Sequence, residues 1–403
     1  MFTLAVFIGI YSYALMALGL AGVLTWGWIW GVTGVVLVAG LFRIKKFSVG
    51  QIGHIGLMGL IGVQAIVNLV GALGPERGFD ALWYHLPIPK IWLASQKIFF
   101  IGGNLYYSAM PKLIDMLYVW GETPAKIMHL VFGLLSLAVT YKLARKWLDE
   151  KWSMLAAVIF YSNLVVGWQS TTAYIDLGRT FFEALAFYLL LDKKIYKSAI
   201  VLGLAMATKT LAIGSLGILG LLVLWETRDL GKFGKFVLLA VLVAAPWYVF
   251  SFVSTGNPVY PIFSGYKLEW DWGFNLLRLA DPINPIYVIV ALMLIVSPSF
   301  VPPLKLRGGQ GVIFLYCVLS FVVWYLTPRS GGGRFLLPYL PVWSVAAAAA
   351  IAQRSALNAQ KFLVGMVIAI AVISIGYRAA ANAKFLPIIL GKESLELRKL
   401  WDH

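Results

Sequence analysis

The chain has 403 residues, of which 61% are hydrophobic and 12% charged. Apolar runs recur along its whole length, which argues against a water-soluble fold and for an all-α, polytopic membrane protein. Its 33 Lys and Arg against 17 Asp and Glu give a formal charge of +16; in such a chain the excess reflects cytoplasmic loops and anionic lipid contacts, and nucleic-acid binding is a poor match.

From the N-terminus, hydrophobic runs fall near residues 3–22, 24–42, 51–73, 126–144, 153–167, 177–191, 198–208, 211–225, 236–253, 284–301, 311–327, 335–352 and 362–377. They predict a transmembrane bundle of about thirteen helices. Met1-Phe2-Thr3 carries no basic region, so the first run is expected to be a retained helix and not a cleaved signal peptide. Basic breaks at 43–46, 145–151, 193–197, 228–235, 305–307 and 354–361 fall on one side if each run crosses once, and the positive-inside rule makes that side cytoplasmic. The alternation then predicts that the 74–125 loop, Asp176, Lys209, the 254–282 loop and the 328–334 loop share the opposite face. Residues 1–377 are expected to form one transmembrane domain, with 74–125 as an outer loop carrying interfacial helices and 378–403 as a short tail. Within the loop, helical spacing predicts one such helix over Leu82–Ser95 and a second over Lys112–Trp120. The single cysteine, Cys317, lies in an apolar run and excludes an intramolecular disulfide or a cysteine metal cluster.

Polar chemistry collects on the predicted outer face. Asp80, in Gly78-Phe79-Asp80-Ala81-Leu82-Trp83-Tyr84-His85, is either the N-cap of a following helix or a general base at the membrane edge, where a lipid-linked donor and a polar acceptor both arrive. His85 has no second histidine at metal-binding spacing, so a hydrogen-bonded role outweighs a ligand role. Asp176 is either a helix cap or, on the same predicted face as Asp80, part of a shared site; it opens a helix that continues through Arg179 and Glu183, a pair expected to meet at i, i+4 or to face a cavity, since charge facing lipid is costly. Lys209 interrupts two short apolar runs, either snorkelling or binding an anionic headgroup. Arg329 and Arg334 flank Ser330-Gly331-Gly332-Gly333, either a flexible outer loop with two snorkelling arginines or a phosphate site, where backbone N–H groups can approach a ligand and a planar guanidinium suits phosphate oxygens. Thr255-Gly256-Asn257-Pro258-Val259-Tyr260-Pro261 is a rigid turn cluster.

These segments, in this order over residues 80–341, resemble the polytopic lipid-dependent glycosyltransferases of the GT-C superfamily. The resemblance is to the family 39-like group of protein O-mannosyltransferases, aminoarabinose transferases and dolichyl-phosphate-mannose-transferase-like enzymes. The matching pieces are Asp80–Pro87, Ala173–Leu177, Ala207–Lys209, Thr255–Pro261 and Gly333–Pro338. The resemblance implies that Asp80 is the catalytic base, that Asp176 is a second acidic site residue, and that Lys209 and Arg334 lie near the donor phosphate; Arg329, on the same loop as Arg334, is a further candidate for that phosphate. Tyr84, His85, Asn257 and Tyr260 would line the substrate site. Two departures stand out: relatives often carry an Asp-Glu pair where this chain has Asp80-Ala81, and their large outer loop usually follows the first helix, whereas here it follows the third.

The expected function is inverting transfer of a sugar from a polyprenyl-phosphate-linked donor to an acceptor hydroxyl on a lipid, glycan or protein. It would take place on the outer face of a prokaryotic plasma (inner) membrane. No cofactor is required by this chemistry, and a divalent metal is admissible without being indicated. A lipid-linked sugar polymerase, a flippase and a transporter are the alternatives; a transporter should show inverted repeats and midplane acids, and neither is evident in the sequence.

Overall fold

The computed structural model describes residues 1–41, 55–264, 286–287, 310–327, 332–353 and 357–393. Apart from an isolated bridge between Gly102 and Leu105, its regular structure is helical. In chain order the helices are α1 (Phe2–Leu20), α2 (Trp26–Leu41), α3 (Ile55–Leu73), α4 (Pro87–Ala94), α5 (Glu122–Ala144), α6 (Glu150–Tyr161), α7 (Leu164–Gln169) and α8 (Asp176–Leu191). There follow α9 (Ile195–Thr208), α10 (Ile213–Thr227), α11 (Leu230–Thr255), α12 (Gln310–Leu326), α13 (Leu340–Ala352), α14 (Leu357–Ala383) and α15 (Leu386–Ile389).

Every predicted hydrophobic run within the described residues coincides with helix; the run at 284–301 lies outside them except for 286–287. Among the described residues seven helices are long and apolar enough to cross a membrane, and α2, α9 and α12 are shorter apolar helices. Helices dominate because in hydrocarbon every backbone N–H and C=O must be satisfied within the segment itself. The run at 153–167 divides into α6 and α7, because Asn163 adopts an extended conformation and its Oδ1 accepts the Val165 N–H at 3.0 Å, restarting the helix.

The chain divides into two compact units. The first comprises Met1–Ile52, Gly78–Ala125 and Leu185–Glu269. Here α9 packs along α11 at close range: a Cβ on Gly203 would lie 2.6 Å from the Ala240 carbonyl oxygen, so only glycine allows this approach. The end of α9 is completed by neighbours. The Met206 carbonyl accepts from Tyr248 Oη at 3.2 Å and the Ala207 carbonyl from the Leu113 N–H at 3.0 Å, which supplies two of the partners a helix C-terminus lacks. The second unit comprises Gly53–Arg77, Lys126–Ala184 and Trp270–His403. In it α13 packs on α6, and α3 on α14.

The 74–125 loop differs in detail from the predicted pair of helices. Ala81–His85 is a single π-helical turn, closed by the Leu86 N–H to the Ala81 carbonyl at 3.0 Å, and α4 begins only at Pro87. Pro87 and Pro89 have no N–H to donate, so one continuous α-helix cannot run through this stretch, whereas Pro at the first position of α4 is well tolerated. Over the second predicted helix only Asp115–Trp120 is helical, as a 3-10 helix with Asp115 to Val119 buried, and it stops at Gly121 with φ +97°.

Candidate active site

In the first unit the π-helical turn carries Asp80 at its start and His85 at its end. Asp80 is half-buried, and its side chain makes no capping bond to the turn. The N-cap alternative for this residue therefore does not describe the structure. The His85 ring is buried, with Nδ1 2.5 Å from Asp115 Oδ1, and Lys112 Nζ lies 3.7 Å from Asp115 Oδ2. Lys112 also stands over the Tyr84 ring, 4.9 Å from its centroid. Burial holds His85 below the ordinary imidazole range, against the attraction of Asp115. Burial likewise lowers Lys112. For Asp115, burial acts upward, but Lys112 and His85 outweigh it and keep the carboxylate below its usual range. Asp80 exerts its charge on both His85 and Lys112.

Aromatic rings surround this trio. Tyr84 stacks on Tyr107 with centroids 4.1 Å apart, Tyr107 on Tyr106 at 4.2 Å, and Tyr106 meets Tyr260 edge-on at 6.2 Å. The structure thus joins Tyr84, His85 and Tyr260 in one cluster. Asn257 is committed to its own loop: Nδ2 donates to the Ile262 carbonyl at 2.6 Å and to Ser264 Oγ at 2.9 Å, and Oδ1 accepts the Val259 N–H at 2.9 Å. Lys209 is the extended residue between the end of α9 and the 3-10 turn Thr210–Ala212, so the predicted break between two short helices is present.

The second unit holds the other candidates. Asp176 is buried at the start of α8, and Arg334 Nε lies 3.8 Å from its Oδ2. The Arg334 guanidinium stacks over the Tyr174 ring at 4.9 Å and the Phe335 ring at 5.5 Å, which fixes its plane. His129 of α5 pins the approach to Asp176: Nδ1–H donates to the Thr172 carbonyl at 2.8 Å, and Nε2 accepts the Leu177 N–H at 2.9 Å, an arrangement that requires the neutral ring. Glu76 Oε2 accepts the Ala173 N–H at 2.5 Å, and Lys126 donates to the Gly74 carbonyl. The expected Arg179–Glu183 pair is present at 2.5 Å, with Arg179 also donating to Tyr339 Oη at 3.4 Å. Arg329 lies outside the described residues.

Asp115, Glu76 and His129 were not among the residues that the sequence pointed to. Scarcity of acids, the property that drew attention to Asp80, also applies to Glu76 and Asp115. Nothing local marks His129, whose partners are more than forty residues away.

These features define the fold of a polytopic helical membrane protein. Two solved structures share it: ArnT from Cupriavidus metallidurans bound to undecaprenyl phosphate, with a TM-score of 0.60 and 16% identity over 83% of this chain and 71% of that one. The same protein in its apo state gives a TM-score of 0.57 at 17% identity, over 83% and 70% of the two chains. No protein-family model and no curated protein sequence matches this chain.

Proposed function

We propose that the protein transfers a sugar from a polyprenyl-phosphate-linked donor to an acceptor hydroxyl at the non-cytoplasmic membrane face. The observation that carries this is the fold shared with ArnT, whose structure was obtained with undecaprenyl phosphate bound. The half-buried Asp80 on its π-helical turn supports it, since such turns are frequent at functional sites.

In the proposed step the acceptor oxygen attacks the anomeric carbon while Asp80 takes the hydroxyl proton. The bond from that carbon to the phosphate oxygen breaks, and configuration inverts. The polyprenyl phosphate leaves already ionised, so it needs no proton; the growing charge on its oxygens needs cations, a role assigned to Arg334, Lys209 and Arg329. Asp176 is assigned to orienting Arg334, its partner in the second unit. Tyr84, His85 and Tyr260 are assigned to lining the substrate site. In Asn257 the same assignment falls on its backbone, because the side chain is engaged within its own loop.

The test is transfer of labelled sugar from a synthetic polyprenyl-phosphate donor to a membrane extract by the reconstituted protein. Asp80→Asn should abolish transfer, by roughly 100-fold or more for loss of a general base, while donor binding and expression stay near wild type. Undiminished transfer by this variant rules out Asp80 as the base.

A further inference from the structure

The membrane-spanning part of the second unit contains an arginine that the proposed transfer does not use. Arg378 lies on α14, inside the apolar span Asn358–Ala383. Among the described residues no carboxylate pairs with it. One guanidinium N–H donates to Thr171 Oγ1 at 2.9 Å, a longer contact reaches Asn382 Oδ1 at 3.4 Å, and Nε has no acceptor. A guanidinium without a counter-charge inside an apolar span is costly, and such residues as a rule mark a functional site.

Two buried amides stand beside it. A Cβ on Gly167 would lie 3.2 Å from Arg378 Cγ and 3.3 Å from Gln64 Nε2, so the absence of a side chain there lets Arg378 and Gln64 approach the same point. Gln64 is 2% exposed and Asn68 0%. Gln64 Nε2 donates to Asn68 Oδ1 at 2.7 Å, and among the described residues Gln64 Oε1 and Asn68 Nδ2 are buried with no hydrogen-bond partner. The Tyr161 hydroxyl, also buried, faces the Asn68 side chain. A network that served only to tie α3 to α14 would satisfy its own atoms, as Asn382 does by donating to the Val67 carbonyl at 2.8 Å. An uncompensated cation whose Nε lacks an acceptor, next to a buried amide pair that leaves Gln64 Oε1 unsatisfied, instead points to a ligand.

We propose that Arg378, Gln64 and Asn68 form an intramembrane site for a phosphoryl oxygen of an anionic membrane lipid. The Arg378 Nε–H and the Asn68 amide are donors suited to an anionic oxygen, and charge assistance makes such bonds the strong ones. The surroundings select an amphipath over a soluble ion. On α14, Ile373 and Tyr377 are 70% and 63% exposed, and on α3, Ile66 is 64% exposed, so apolar surface that would carry acyl chains flanks the polar atoms. This site is independent of the transfer reaction and of Asp80.

The full chain is reconstituted in nanodiscs of phosphatidylcholine alone or with phosphatidylglycerol, and lipid retention is read by native mass spectrometry beside the melting temperature. Wild type should retain phosphatidylglycerol and melt higher in its presence. Arg378→Gln should weaken retention by roughly tenfold or more, the loss expected for one charge-assisted donor group, and Arg378→Lys should keep part of it. Should Arg378→Gln not fold, Gln64→Leu, of similar volume, carries the test: it should fold in phosphatidylcholine yet lose most of the stabilisation by phosphatidylglycerol. Wild-type retention in both variants overturns the proposal. So does an equal rise in melting temperature from inorganic phosphate with none from the lipid, which would make the ligand a free anion.

Discussion

His85 and Asp115 are 30 residues apart in sequence, yet His85 Nδ1 and Asp115 Oδ1 meet at 2.5 Å with both side chains buried. With Lys112 on the second carboxylate oxygen, this contact ties the turn that carries Asp80 to the 3-10 helix Asp115–Trp120. The 74–125 loop thus owes its shape to a buried charged trio as well as to packing.

The trio makes stability depend on pH with a definite sign. In the folded chain His85 and Asp115 are both held below their ordinary values. The unfolded chain therefore binds protons more readily at these two groups, and stability rises with pH across their titration. His85 contributes fully above about pH 6.5 and its contribution falls away below that, while the contribution of Asp115 is lost further down, below the unfolded carboxylate value near 4. The melting temperature of detergent-purified protein should accordingly fall between pH 7 and pH 4. Asp115→Asn should lower it at pH 7, through a loss of stability of about 3 kcal/mol or more for a buried pair that loses one partner, and flatten the acid limb. A wild-type melting curve indifferent to pH over this range would contradict the assignment.

Arg334 separates a bidentate phosphate clamp from a simple positive anchor. Its guanidinium is oriented by Tyr174, Phe335 and Asp176, and lysine reproduces its charge without its planar fork. Arg334→Lys and Arg334→Ala should both reduce turnover of the lipid-linked donor, by roughly tenfold or more on the scale of a lost charge-assisted bond; the lysine variant, which keeps a cation beside the buried Asp176, should change the melting temperature little, while the alanine variant should lower it. Near-normal turnover by the lysine variant would move the clamp to Lys209 or Arg329.

The buried Arg179–Glu183 pair makes an asymmetric prediction. Glu183→Gln leaves a buried guanidinium without its carboxylate and should cost about 3–5 kcal/mol. Replacing both residues together, Arg179→Met with Glu183→Leu, should cost much less, because no uncompensated charge remains. The comparison is a double-mutant cycle on thermal unfolding; additive losses would show that the two side chains are not coupled.

The proposed topology is checked by labelling. Gly103 has φ +52°, where a cysteine would be strained, so the exposed neighbour Asn104 is the better probe. After Cys317→Ser, Asn104→Cys should react with a membrane-impermeant thiol reagent in intact cells. Reaction only after permeabilisation would put the outer loop on the cytoplasmic side.

Much of the architecture was legible in the sequence because it is a local property. A run of apolar residues long enough for hydrocarbon must satisfy its own backbone, so composition alone locates α1, α3, α5, α11 and α14. The break at Lys209 and the i, i+4 pairing of Arg179 with Glu183 were legible for the same reason, since each depends on neighbours within a turn or two. Where two prolines met an apolar stretch, at Pro87 and Pro89, helical spacing over-predicted one continuous helix in place of a π-helical turn and α4. Tertiary structure alone decided which charges meet. Arg334 comes to Asp176, His129 to Thr172 and Leu177, and Asp115 to His85, each from a distant segment. Such partners are chosen by how helices pack and by the need to compensate each charge taken from water, and neither is written in the spacing of residues along one helix.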